Sequence, residues 1–580
     1  MKQYINKLLI TALGSVIIAG CADTGIDDFS VEKPNSIATM EYLNDYAPLK
    51  SYINRTTHPN FKLGTGISES DFNQGGLVYR LAGANFDEIT PGNGMKYSSC
   101  VAKDGSMSFS EVTKFIEMAK SAGLSIYGHT LAWHSQQQNE YLNGLIADKV
   151  IAVDPSNVEH ALHIKTPEAK ANMWDWQIYN MLPEALTVGQ EYTISIRAKA
   201  TAETKIAFWP NNADGSKVQY LSDLSIGKEW GTSSVKFTAT IPIQKLVFSF
   251  GKFSGDLYID DVTLTATGSN TNLIANSSFE NADLSAWSKP SWHGYTYAIE
   301  ALASNNKIPL TPKEKADTLT WAMNRWVKGM MEACGGYVKS WDVVNEAISG
   351  GGDDGEGFYV LQSASNGDPL KNFYWQDYLG SEEYVRKVVG MARKYYAEFK
   401  GNPSDLKLFI NDYNLESDWD DNKKLKSLIH WIQRWEKDGV TKIDGIGTQM
   451  HVSCFANATS QKSKEEHIVK MFELLAASGK LVKISELDLG YIDEDGKTVK
   501  TVNMTEDQHK AMAEFYKFIV KKYFEIIPVA QQYGITTWSI TDSPDSNSSF
   551  WRAGEPIGLW DLNYNRKHTY AGYADGLAGK

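Results

Sequence analysis

The sequence predicts an eight-stranded (β/α)8 TIM barrel, an α/β fold, interrupted by an all-β sandwich domain. Three observations carry that prediction. Eight short apolar runs alternate with amphipathic helical stretches. Nearly every run turns polar at its C-terminal end. Between the third and fourth runs the alternation stops, and some 160 residues of short threonine- and valine-rich segments intervene.

The eight runs are "FKLGTGIS", "FDEITPGN", "LSIYGHTLAWH", "YVKSWDVVNE", "LKLFINDYN", "DGIGTQMHV", "VKISELDLG" and "GITTWSITD". Continuous apolar character suits parallel strands buried on both faces. Between them lie helical patterns such as "SEVTKFIEMAKSAG", "ADTLTWAMNRWVKGMMEACGG", "EEYVRKVVGMARKYYAEF", "LKSLIHWIQRWEKDG" and "EEHIVKMFELLAASG", several ending in a glycine that suits a helix C-cap. An open doubly wound sheet shares this alternation, but no glycine-rich phosphate loop follows the first run. The polar strand ends are His129, Asn345–Glu346, Asn411–Asp412, Gln449–His451, Glu486 and Asp542. A barrel gathers all such ends on one face, where active sites form.

The chain of 580 residues is long enough for more than one domain. Its net charge of -13 argues against nucleic-acid or anionic-membrane partners, while 17 tryptophans and 29 tyrosines suit ligands with apolar faces, sugars included. Lys2 and Lys7 precede an apolar stretch, Leu8 to Ala19, too short to span a bilayer. It ends "IIAGC", which resembles a bacterial lipobox and marks Cys21 for lipidation after removal of residues 1–20. A simple secretory signal with an incidental cysteine is the alternative. Residues 21–40 then read as a polar tether, and the expectation is a secreted lipoprotein anchored in the outer membrane. The remaining cysteines, Cys100, Cys334 and Cys454, make no closed disulfide framework and show no metal-ligand spacing, so they read as small buried side chains. Oligomeric state is not legible.

The barrel is expected over 41–138 and 302–580, with the sandwich at 139–301 as an insertion into a barrel loop, a site that tolerates one. Glu346 and Glu486 end strands nearly opposite each other and would flank one bound bond. Glycoside hydrolysis needs that pair: one carboxyl protonates the leaving oxygen while the other attacks or activates water. Taken singly, each glutamate would read as a solvated strand-end charge or a structural ion-pair member.

Five segments, "GHTLAWHSQ", "WDVVNEAI", "INDYN", "GIGTQMH" and "ISELDL", resemble in type and order those of family 10 glycoside hydrolases, the endo-1,4-β-xylanases. The resemblance covers about 40–138 and 305–575. It implies that Glu346 is the proton donor and Glu486 the nucleophile of a retaining mechanism, with carboxyls about 5–5.5 Å apart. It further implies substrate-binding roles for Asn345 beside the acid, Gln449 next to it, His451 against the nucleophile, and His129, Trp133 and Gln136 on the glycone side. Trp538 and Trp551 would lie near the reacting sugar, and Tyr413 would form an acceptor-side platform. Where the family typically has "ENEMK", this chain reads "GNGMK": Asn93 and Lys96 are kept, while Gly92 and Gly94 replace two acids. The substrate implied is xylan or xylo-oligosaccharide, with no cofactor required. Another β-1,4-glycan, or a non-catalytic capture of xylan, is the alternative.

Within the insertion, "WDWQIYN", "EYTISIRAKA" and "DLYIDDVTLT" resemble the jelly-roll carbohydrate-binding modules found in bacterial xylanases. Trp174, Trp176, Trp209, Tyr220 and Trp230 are its candidate sugar-contacting aromatics. The acidic pair at Ile259–Asp261 resembles one side of a structural calcium site in such modules, solvated acids being the other reading. "NLIANSSFENADLSAW", Asn272 to Trp287, looks like a module's opening yet follows the apparent last strand. It starts a truncated second copy or completes the first sandwich.

Overall fold

The computed structural model describes residues 35–151, 158–281, 283–302 and 306–580. Cys21 and the N-terminal signal lie outside them. The chain divides into two compact units, 1–147 with 310–580, and 148–309.

The first unit is a closed parallel barrel. Its strands are β1 (Lys62–Ile67), β2 (Glu88–Pro91), β3 (Ser125–Ala132), β4 (Ser340–Asn345), β5 (Lys407–Asp412), β6 (Gly445–Thr448), β7 (Leu481–Ile492) and β8 (Gln532–Thr537). Each pairs in parallel with its neighbour, and β8 returns to β1 with Gly534–Thr537 alongside Lys62–Thr65. All eight expected runs are strands. β4 is buried along its whole length, as a strand between barrel interior and helical shell must be.

The helix Pro312–Cys334 shows how local chemistry sets the shell. Thr311 accepts from the Glu314 amide at 3.2 Å, and the Glu314 carboxylate accepts from the Thr311 amide at 2.9 Å, a reciprocal cap followed by proline at the first helical position. Leu319, Met323, Trp326, Val327, Met330 and Cys334 recur at helical spacing and are buried. Gly335, at φ 53°, ends it in the left-handed region. Cys100, Cys334 and Cys454 are free and buried.

The barrel interior is more polar than its sequence suggests. Glu88 on β2 and Lys483 on β7 form a fully buried ion pair of 2.8 Å, and Lys62 adds a second cation at 3.2 Å. The Tyr533 hydroxyl bridges Glu88 and Ser340, at 2.9 and 2.7 Å. One layer above, Asp342 accepts from Tyr127 at 2.5 Å and pairs with His129 Nδ1 at 2.8 Å. A polar column thus rises through the barrel to the mouth. Among the described residues no helix is long and apolar enough to cross a membrane.

The second unit is a sandwich of two five-stranded antiparallel sheets. One runs in the order Gly231–Thr238, Glu191–Ala200, Gly255–Ala266, His160–Thr166, Thr296–Ala301. The other runs Trp287–Ser288, Gln177–Met181, Lys245–Ser249, Thr204–Phe208, Leu224–Ile226. Burial alternates strictly along Glu191–Ala200, which places one face on the core. The unit begins at 148 and ends at 309 where the sequence suggested 139 and 301. Asn139–Leu145 is a helix of the barrel unit, and Lys149–Ile151 pairs with Asn306–Ile308 to close the neck of the insertion.

The Asn272–Trp287 stretch is not a second copy. Ile274, Phe279 and Trp287 enter the same core as Ile194 and Phe248, and Trp287–Ser288 pairs with Gln177–Met181. The acidic pair at Ile259–Asp261 has a cation beside it. Asp260 is buried and lies 3.0 Å from Arg197, which supplies a counter-charge.

Candidate active site

At the C-terminal mouth of the barrel lies a cleft of about 780 Å³. Of the residues proposed from sequence, Asn93, Lys96, His129, Trp133, Gln136, Asn345, Glu346, Gln449, His451, Glu486, Trp538 and Trp551 all line it. Tyr413 does not, and the Lys424 ammonium sits 3.2 Å from its ring centroid, covering one face. A sugar platform on that face is therefore blocked.

Glu346 stands just past β4, at φ 55°, with its amide donating to the Asn411 carbonyl at 2.7 Å. A non-glycine residue held in the left-handed region by a neighbouring strand stores strain where the side chain must point into the cleft. The Trp133 indole N–H donates to Glu346 Oε2 at 2.9 Å, and Gln449 Nε2 donates to Oε1 at 3.0 Å. Burial raises the carboxyl above the usual glutamate range, and the Asp412 and Glu486 charges add to that rise. The two hydrogen bonds pull the other way without reversing it.

Glu486, on β7, lies in an opposite electrostatic setting. Burial again opposes ionisation, but the His451 hydrogen bond and the charges of His129, His451 and Lys96 overcome it and hold the carboxyl below its ordinary range. Asn411 Nδ2 donates to Glu486 Oε1 and to Asn345 Oδ1, both at 2.9 Å, tying the ends of β4, β5 and β7 together. His451 presents Nε2 to Glu486 Oε2 at 3.2 Å and Nδ1 to Asp488 Oδ2 at 3.0 Å. Burial works against charging that imidazole, yet the two carboxylates raise it to about 10, so it stays a cation that donates from both nitrogens.

Behind His451, Asp488 also accepts from Trp551 Nε1 at 2.7 Å and from Arg552 Nη1 at 2.8 Å. Trp551 is half exposed, its ring 4.6 Å from that of His451. Trp538 packs over Gly66, where a Cβ would meet its backbone oxygen at 2.5 Å, and stands edge-on to His129. The Trp133 N–H serves Glu346, and the Lys96 ammonium lies 5.0 Å over its ring. Lys96 Nζ and Gln136 Nε2 both donate to Asn93 Oδ1 at 3.2 Å.

Sequence reasoning missed Asp342 and Asp488, which hold the site's histidines, Arg552, which holds Asp488, and Glu69, which lines the same cleft. Asp488 had a legible clue, since residues two apart on a strand share a face and Glu486 already points inward. Among the described residues, the one group of three acidic or histidine side chains close enough to share a cation is His129, Asp342 and Glu486. The His129–Asp342 hydrogen bond accounts for part of that closeness.

Comparison with known proteins agrees with the barrel fold. The profile of Glycosyl hydrolase family 10 matches residues 52–182 and 286–576, so the interruption at 183–285 falls wholly inside the sandwich. The first matched segment runs past 148 into sandwich strands, where the structure sets the boundary earlier. Endo-1,4-beta-xylanase A of Cellvibrio japonicus (strain Ueda107) is 29% identical over 328 residues, covering 53% of this chain and 48% of its own. Endo-beta-1,4-xylanase Xyn10C of Cellvibrio japonicus is 32% identical over 253 residues, covering 42% of this chain and 37% of its own. The chain thus spans less than half the length of either relative. Xylanase B from Clostridium stercorarium F9 superimposes with a TM-score of 0.52 at 15% identity, covering 91% of this chain and 100% of that one, a likeness of fold.

Proposed function

The chain belongs to glycosyl hydrolase family 10, and from that premise we propose that it cleaves internal β-1,4 linkages of xylan with retention of configuration. The observation that carries this reading is the opposed electrostatics of two buried glutamates in one cleft: Glu346 is biased toward its protonated form and Glu486 toward its carboxylate. Glu346 protonates the glycosidic oxygen as Glu486 attacks the anomeric carbon, the C–O bond breaks, and a glycosyl ester forms on Glu486. Glu346, now a carboxylate, takes a proton from water. The water oxygen attacks the same carbon, and Glu486 leaves as a carboxylate. No organic or redox cofactor enters these steps.

Xylan as the substrate is supported by the names of the two Cellvibrio japonicus relatives. Reducing-sugar release from xylan and from cellulose tests it. Faster release from xylan is expected, and a preference for cellulose would transfer the reading to another β-1,4-glycan. Release from neither would favour glycan capture without catalysis.

The inserted sandwich is read as a glycan-binding module. Trp174 is 54% and Tyr220 73% exposed, and both ring-pack against Trp209, at 6.3 and 5.5 Å between centroids. Such a surface offers stacking faces for sugar rings. Trp176 is core instead, and Trp230 is engaged by Arg197 and Lys199. Export and lipid anchoring through Cys21 complete the proposal, on the sequence pattern alone. Cys21→Ser should move the protein from the membrane fraction to the soluble one.

A further inference from the structure

Glu69 opens the short helix Glu69–Asn73 just after β1, with Ser68 as its N-cap. Its side chain reaches across to the loop after β2. One oxygen, Oε1, accepts from the Asn93 amide at 3.0 Å and from the Gly94 amide. Two backbone donors on one oxygen fix the carboxylate against the loop and satisfy that oxygen with amides that would otherwise face solvent. Glu69 lines the same cleft as Glu346 and Glu486, beside Asn93, Lys96 and Gln136.

Gly94 makes this approach possible. A Cβ there would stand 2.9 Å from Glu69 Oε1 and 3.0 Å from Cδ, so any other residue would push the carboxylate away. The neighbourhood also suits a hydroxyl-rich ligand. Asn93 Oδ1 gathers Lys96 and Gln136, Lys96 is buried, and its charge is set between Glu69 and the two catalytic carboxylates. Glu69 is an acceptor in a group of donors.

We infer that Glu69 is a substrate-binding residue of this cleft, its free oxygen accepting a hydroxyl hydrogen of a sugar bound one unit away from the cleaved bond, at the end formed by the loops after β1 and β2. The inference rests on the reading of the cleft as a β-1,4-glycan hydrolase site. The β1 loop delivers a carboxylate to this end of the cleft, and the glycine at 94 is its steric counterpart.

The test compares aryl β-xylobioside, whose second sugar reaches the Glu69 end, with aryl β-xyloside, which fills only the reacting position. Losing one hydrogen bond to a charged group lowers kcat/KM roughly 10- to 150-fold. Glu69→Ala and Glu69→Gln should show that loss on the xylobioside, carried in KM as well as kcat, and leave the xyloside rate within about twofold. Gly94→Ala should reproduce the loss by displacing the carboxylate. Unchanged thermal unfolding midpoints establish that the variants fold. Equal losses on both substrates would assign Glu69 a structural role and overturn the inference, as would no loss on either. If the wild type ignores both xylosides, the xylan reading fails instead. The same pair of measurements with aryl β-cellobioside and β-glucoside then decides the role of Glu69.

Discussion

His451 stands with Nε2 3.2 Å from Glu486 Oε2, and it is the strongest of the influences that keep that carboxyl ionised against burial. Removing it leaves desolvation less opposed. In His451→Ala the Glu486 carboxyl therefore titrates at higher pH. Because the proposed mechanism needs Glu486 ionised, the acidic limb of the kcat/KM profile moves upward. Activity at the optimum falls by roughly 10- to 150-fold, the worth of one charge-assisted hydrogen bond. An acidic limb that stays in place would show that His451 does not set the ionisation of Glu486.

Trp133 acts on the other glutamate with the opposite consequence for the profile. Its indole N–H stabilises the Glu346 carboxylate at 2.9 Å. Trp133→Phe keeps an aromatic ring and deletes the donor, so Glu346 holds its proton to higher pH and the alkaline limb shifts upward. The loss at the optimum is expected below about tenfold, since a single hydrogen bond to an already protonated acid is worth about 1 kcal/mol. A downward shift of the alkaline limb would contradict this role.

Stability depends on a pair that takes no part in catalysis. Burial alone would raise Glu88, but Lys483 and Lys62 bring it down from the ordinary 4.5 to about 2. A depressed carboxyl contributes stability that is present above about 4.5 and is lost as pH falls toward 2. Glu88→Ala strands Lys483 in the barrel and should cost about 3–5 kcal/mol in denaturant unfolding. The double variant Glu88→Met with Lys483→Met, which removes both charges, should recover part of that. Similar losses in both would show that packing rather than the unpaired charge is responsible.

In the insertion, Trp174→Ala and Tyr220→Ala expose no core, since both side chains are already largely in solvent. Each should weaken retention on insoluble xylan by roughly 2- to 10-fold, the worth of about 0.5–1.5 kcal/mol of aromatic contact. Hydrolysis of soluble xylo-oligosaccharides should stay unchanged. Undiminished retention in the double variant would remove the glycan-binding role from this surface.

The barrel was legible because burial on both faces writes a strand as an unbroken apolar run, and a polar residue at the end of such a run is out of place unless it faces a site. "WDVVNE" shows both features at once. The same logic hid Glu88, Lys483 and Asp342: a charge inside a strand reads as an edge, and only the closed barrel reveals that three of its strands aim charges at one another. Asp488, two residues after Glu486, had a clue in strand periodicity, whereas Arg552 was hidden because it acts through Asp488 and His451 rather than on the cleft. Glu69 was hidden because its role depends on a glycine in a different loop. In the sandwich, "EYTISIRAKA" alternates and was readable, whereas His160–Thr166 gains its place from Thr296–Ala301 at the far end of the insertion. Trp176 and Trp174 look alike in sequence, and only packing separates the core tryptophan from the exposed one.

In the proposed mechanism Glu486 carries the glycosyl group between the two steps. A 2-deoxy-2-fluoro-β-xylobioside with a good leaving group slows hydrolysis of the ester more than its formation, so the intermediate accumulates. After proteolysis, mass spectrometry should find one added fluoroxylobiosyl group on the peptide containing "ISELDL", at Glu486. A label on any other residue, or turnover with inversion and no label, would contradict the account.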